Sequence, residues 1–138
     1  MTRVLHFDHE RGASEKIRNK LKEILSRYPD VTYNDFMLNN FGSFQENQGE
    51  LERSLPEHDV LLIHPGPDGQ RRVMEYSTLF PHLRVAFVIP GDRGDYENSS
   101  AEVSYEQQRI KFFGYPNVYG IVGFILQREP EEAYKYFD

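Results

Sequence analysis

Asp59-Val60-Leu61-Leu62-Ile63-His64 is the stretch that decides the fold: four consecutive apolar residues, with Pro65-Gly66-Pro67-Asp68-Gly69 closing the run. A strand with one face in water alternates apolar and polar side chains. A run without alternation needs cover on both faces, as in the middle of a parallel sheet. Two other stretches share this character. Residues 3–7 form a short apolar run ended by Asp8, and residues 84–89 form another, closed by Pro90-Gly91-Asp92.

Between the first two runs, Ile17, Leu21, Ile24, Leu25 and Tyr28 line one face of an amphipathic helix. Ser14 is its expected N-cap, and Pro29-Asp30 stops it. Residues 31–38 alternate loosely and predict a second strand, 44–55 a helix ending at Pro56, and 71–80 another helix. Beyond Pro90 the pattern predicts a loop over 93–100 and a helix over 101–113. A fifth strand over 118–126 and a short last helix over 129–137, opened by Pro130, complete the order. Buried strands alternating with helices through short loops imply right-handed crossovers. The expected architecture is a three-layer α/β/α sandwich around a doubly wound, five-stranded parallel sheet of the flavodoxin-like kind, in a single domain over residues 1–138.

Composition narrows the functional classes. The chain has 138 residues and no cysteine, which excludes disulfides, thiolate metal sites and a cysteine nucleophile. The opening Met-Thr-Arg-Val-Leu-His-Phe-Asp shows no signal-peptide pattern, and no apolar run approaches the roughly 20 residues of a membrane helix. A cytoplasmic, membrane-free protein is expected. Net charge is −6, from 22 acidic against 16 basic residues. No basic stripe of the kind that neutralises nucleic-acid phosphates is visible, so nucleic-acid binding by this domain alone is not expected. The densest basic stretch, 16–27, alternates with Glu15 and Glu23 and reads as a solvated helix face.

In an open parallel sheet, ligands bind beyond the carboxyl ends of the strands, where the strand order reverses. That rule selects Asp8, His9 and Glu10, then residues 64–69, then 90–92, and Gly123. His6 shares a strand face with Asp8. His6, His9, His64 and Asp8 are the residue types of a zinc or nickel site, but the histidines read more simply as loop-edge groups bonded to backbone. Neither a metal nor a cofactor is expected; a phosphate loop and a dinucleotide fingerprint are both missing.

At these positions the chain resembles bacterial receiver domains in element order. Their first strand ends in an acidic pair, matched here by Phe7-Asp8-His9-Glu10. Their third strand runs from an Asp through four apolar residues to an Asp, with a proline and Asp-Gly after it. Here the run is Asp59 to His64, then Pro65 or Pro67, then Asp68-Gly69. A lysine before a Pro-Phe pair ends their fifth strand; Gly120-Ile121-Val122-Gly123-Phe124 is read in register with it. The departures fall on the chemistry. His64 stands at the phospho-acceptor, His9 at the second acid, Gly123 at the lysine, and Ile89-Pro90 where a Ser or Thr is usual. Aspartyl phosphorylation needs a carboxylate nucleophile, oxygen ligands for Mg²⁺ and a cation for the phosphoryl oxygens. The resemblance therefore implies a pseudo-receiver, a regulatory module that contacts a protein partner or a second copy of itself and is not an enzyme. Its interface is expected among Tyr105, Phe112, Phe113, Tyr115 and Tyr119.

A competing reading takes Asp59-Val60-Leu61, Asp68-Gly69 and Glu75 as a loose version of the nucleoside deoxyribosyltransferase and TIR-like pattern. Glu75 and Asp68 would then act on an N-glycosidic bond. A small-ligand sensor using the same crevice is a third class. Convergence of carboxylates in an open pocket would favour the enzyme, and a filled crevice the binding module.

Overall fold

The computed structural model describes residues 1–8, 13–36, 42–90 and 109–131. Five strands form one all-parallel sheet: β1 (Thr2–Asp8), β2 (Val31–Asp35), β3 (Val60–His64), β4 (Arg84–Ile89) and β5 (Ile110–Gly114). Their order across the sheet is β2-β1-β3-β4-β5. Among the described residues four α-helices cover the sheet: α1 (Ala13–Leu25), α2 (Phe44–Ser54), α3 (Gln70–Leu79) and α4 (Val118–Leu126), with a 3₁₀ turn at Leu55–Glu57. This is a three-layer, flavodoxin-like α/β fold. No described helix is long and apolar enough to cross a membrane.

Side chains alternate between the faces along each strand, so the sheet divides two cores. Val4, Val60, Leu62, Ala86, Val88 and Phe113 face α1 and α4. Leu5, Phe7, Leu61, Ile63, Val85 and Phe87 face α2 and α3. The unbroken apolar run of β3 follows directly: Val60, Leu61, Leu62 and Ile63 are fully buried, alternately on one side and the other. Burying each such side chain contributes about 1.5–3 kcal/mol.

Ser43 caps α2 by accepting from the Glu46 backbone N–H at 3.2 Å, and Asn117 caps α4 by accepting from the Gly120 N–H at 2.8 Å. Arg84 holds the other end of α4. It is buried, its guanidinium lies 4.9 Å from the Phe124 ring, and it donates to the carbonyls of Phe124 and Ile125. A cation at the carbonyl end of a helix is favoured by the helix dipole.

The later chain differs from the sequence reading. The strand expected over 118–126 is helix α4, and the end of the helix expected over 101–113 is strand β5. Gly123 is therefore a buried helical residue and not the end of a fifth strand. The physical reason is that Val-Tyr-Gly-Ile-Val-Gly-Phe-Ile-Leu is apolar nearly all round, so it carries no amphipathic period; a short run of this kind suits a buried strand and a buried helix equally. Smaller differences lie elsewhere. Strand β2 stops at Asp35 and Phe36 is already helical, whereas the strand was expected to run to residue 38. Ser14 lies buried inside α1, with its carbonyl accepting from Arg18. Residues 129–131 are not helical, and 132–137 of the expected last helix lie outside the described residues, as do 93–100 and 101–108.

Candidate functional site

Strand β1 has β2 on one side and β3 on the other, so the order reverses between β1 and β3. At the carboxyl end of that junction, Asp8 and His64 are register partners. Both belong to the face covered by α1 and α4, because Asp8 follows Val4 and His6 by even steps and His64 follows Val60 and Leu62 likewise. Strand β5 ends at Gly114, and the Tyr115 N–H donates to Ile89 O at 2.9 Å, which fixes the next residue at the same edge. From there the Tyr115 side chain reaches back across the sheet end to Asp8.

The three side chains meet. Tyr115 Oη donates a hydrogen bond to Asp8 Oδ2. His64 Nδ1 lies 3.2 Å from Tyr115 Oη and 3.4 Å from Asp8 Oδ1. With the tyrosine proton directed at the carboxylate, Nδ1 can bond to either oxygen only as a donor, which selects the Nδ1–H form of that nitrogen. Asp8 is 1 % exposed and Tyr115 8 %. The carboxylate at the switch point is thus buried and already bonded within the protein.

Behind this cluster, on the same face, lies a second group of polar side chains. His6 is fully buried, with Nδ1 2.5 Å from Tyr33 Oη on the neighbouring strand. Its Nε2 is buried with no hydrogen-bond partner among the described residues. Burial lowers the His6 pKa to about 4 against the opposing pull of Asp8 and Asp35, so the ring is neutral near pH 7. Burial also raises the Tyr33 pKa well above its ordinary value. Beside them Arg18, 4 % exposed, donates from Nη1 to Asp35 Oδ2 at 2.7 Å and from Nε to Ser14 O at 3.3 Å. Arg18 belongs to the stretch read as a solvated helix face; it instead turns inward to a carboxylate at the end of β2.

The chain matches no family model, no curated protein and no solved structure. The chemistry of the site is therefore read from its geometry.

The structure brings together Asp8 and His64, and adds Tyr115, which the sequence reading had set on an interface. Ile89 ends β4 at the same edge, offering no hydroxyl. Gly123 is elsewhere, inside α4. His9, Glu10 and Tyr105 lie outside the described residues. The other aromatic residues expected at an interface turn largely inward. Because β5 is a strand, Phe112 and Phe113 point to opposite faces. Phe113 is buried against Phe124, and Phe112 stacks on Phe87 at 4.7 Å between centroids. Tyr119 is half-buried, and its hydroxyl donates to Pro130 O.

Glu75 is exposed on α3 in an ion pair with Arg72 at 3.1 Å, and Asp68 is exposed in the turn before that helix. Neither bonds to Asp8 or His64. That turn is built for packing. Gly66 has φ 82°, open to glycine at no steric cost, and a Cβ on Gly69 would lie 2.8 Å from the Phe44 ring and from Pro65. Among the described residues no three His, Asp or Glu side chains are grouped to hold a metal ion.

Tyr115 could have been placed from sequence. Gly114-Tyr115-Pro116-Asn117 reads as a strand end followed by a helix cap. That reading moves the fifth strand to 110–114 and sets Tyr115 at the carboxyl edge.

Proposed function

We propose that this domain is a phosphorylation-independent regulatory module of the receiver-like kind, acting through contact with a protein partner or a second copy of itself. The observation that carries the reading is the hydrogen bond from Tyr115 to a buried Asp8, with His64 beside both. In a receiver the acid at this place binds Mg²⁺, and here its carboxylate is engaged by a phenol. At the third-strand position His64 replaces the carboxylate that would accept a phosphoryl group. On the observed strand order, the residue between the end of the fifth strand at Gly114 and the following Pro116 is Tyr115. A neutral phenol there offers a hydrogen bond but no positive charge for phosphoryl oxygens. A carboxylate already held by a phenol, with an imidazole beside it, suits a fixed scaffold better than turnover. With Phe113 and Tyr115 committed to the interior, the contact surface lies outside that pair.

The test is exposure to acetyl phosphate, and separately to beryllofluoride, with Mg²⁺. Intact mass and backbone amide spectra are expected to stay unchanged. A phosphoryl mass on any aspartate, or amide shifts centred on Asp8 and His64, would overturn the reading.

A further inference from the structure

The edge of the sheet opposite the Asp8 cluster carries an open groove of about 350 Å³. It is lined by Met1 and Thr2 at the start of β1, Asp59 before β3, Pro81, His82 and Arg84 around the start of β4, Arg109 before β5, and Gln127 after α4. These positions follow from the parallel topology, which gathers the amino ends of four strands and the carbonyl end of α4 at one place.

The groove's charge runs against that of the chain. The protein is net acidic, yet two guanidinium groups line this groove against one carboxylate, Asp59. That carboxylate already accepts from the Arg3 N–H at 2.8 Å. Arg84 is buried and lowered to about 10, first by burial; Asp59 pulls the other way, and Arg109 adds to the lowering. The two arginines are thus close enough to repel each other, and the protein supplies less negative charge than would balance them. Arg84 spends its Nη groups on the carbonyls of α4. Arg109 is exposed, and Nη2 alone is bonded among the described residues, to Leu83 O at 3.0 Å and Ser77 O at 3.5 Å. Those bonds orient the guanidinium and leave its other N–H groups for a ligand. His82 donates through Nε2 to Leu55 O at 3.2 Å, which leaves Nδ1 of the neutral ring an acceptor and holds the ring at the groove wall. Gln127 sits in the left-handed region at φ 58°, where glycine would be the unstrained choice, and adds an amide to the lining.

We infer that this amino-edge groove binds a small oxyanion, a phosphoryl group held by Arg109 with the Gln127 amide beside it. A polar groove of this size takes a phosphate, or the phosphoryl end of a small metabolite, and has too little apolar wall for a hydrophobic ligand. Arginine is the side chain best matched to such an anion. The site lies at the other end of the strands from Asp8 and stands whether or not the regulatory reading does.

The experiment titrates the whole protein with inorganic phosphate against sodium chloride of equal ionic strength, following amide resonances and melting temperature. Saturable shifts at the groove residues and a phosphate-specific rise in melting temperature are expected. Arg109→Gln should weaken binding by about tenfold or more, the loss of one charge-assisted contact. Loss of its bonds to Leu83 O and Ser77 O would show separately, as a lower melting temperature in chloride, so binding is compared on folded protein. Arg109→Lys should recover part of the binding. Glycerol phosphate, run in parallel, separates the sources: tighter binding than phosphate assigns the groove to a phosphorylated metabolite, equal binding to the free anion. Phosphate behaving as chloride does, or binding Arg109→Gln as well as the wild type, would overturn the inference.

Discussion

The two faces of the sheet solve the same packing problem with different materials. The α2/α3 face is hydrocarbon and aromatic rings at its centre, from Leu5 and Phe7 to Phe87; Asn47 of α2 and His58 are buried at its margin, and the Glu52–Arg72 ion pair lies on its rim. The α1/α4 face is equally apolar at its centre but holds His6, Asp8, Arg18 and Arg84 in the interior. Polar groups in a core cost free energy unless they are bonded, so a face that keeps several of them is specified more narrowly than stability requires. Asp8, His64 and Tyr115 meet on this polar face, at the carboxyl end of the strands.

The sharpest test of that comparison is at the shared middle strand. Leu61 and Leu62 are both fully buried and point to opposite faces. Leu62→Ala should cost roughly 2–5 kcal/mol, through lost transfer energy and the cavity left behind. Urea unfolding would show a lower midpoint with little change in slope. A loss under about 1 kcal/mol would mean that the α1/α4 face collapses around the gap, and that its packing is looser than the burial implies.

The next largest effect separates the faces by pH. His6 has a pKa near 6.5 when unfolded and about 4 when folded, lowered by burial. Folding therefore favours the neutral ring. Its contribution is fully present above about pH 6.5 and is lost as pH falls toward 4, while the unfolded chain takes up the proton. The slope is about 1.4 kcal/mol per pH unit, or roughly 3 kcal/mol over the window. His6→Asn keeps a hydrogen-bonding atom near Nδ1 but cannot titrate, and it should flatten stability between pH 6.5 and 4.5. A variant that still lost stability over that interval would move the effect to another group.

How much of this was legible in the sequence depends on whether a segment carries a period. Strand β4 and helices α2 and α3 are found within a residue or so of their predicted limits, because Pro56, Gly69 and Pro90 punctuate runs of clear type. From 110 to 126 the punctuation lies in Gly114-Tyr115-Pro116-Asn117, but the apolar stretch after Asn117 carries no period of its own, and strand and helix were exchanged. The error propagated to the site, putting Gly123 where Tyr115 belongs. Asp8 and His64 were legible from topology alone. Arg18 was not, since an arginine among lysines and glutamates reads as solvated until a carboxylate such as Asp35 is brought against it.

The smallest expected effect lies on the rim of the apolar face. Glu52 of α2 accepts from Arg72 of α3 at 2.7 and 3.0 Å, from Tyr76 Oη at 2.9 Å and from Gln48 at 2.8 Å. The hydrogen bonds from Arg72 are the main reason that the Glu52 pKa falls to about 2. Burial, followed by the bond to Glu52, raises that of Tyr76. The clamp joins two helices, but Arg72 is more than a third exposed, so water screens much of the attraction. Glu52→Gln should cost only about 1 kcal/mol, less than its ionic geometry suggests. The sign in acid is the usual one for a carboxylate: the contribution is present above about pH 4.5 and fades as pH falls from there toward 2. The two faces should therefore fail in sequence, His6 first and Glu52 below it. In the His6→Asn background, the remaining acid sensitivity should begin only below about pH 4.5, and adding Glu52→Gln should reduce it. If that double variant kept the full acid limb of the single one, Glu52 would be a solvated rim contact with no share in holding α2 to α3.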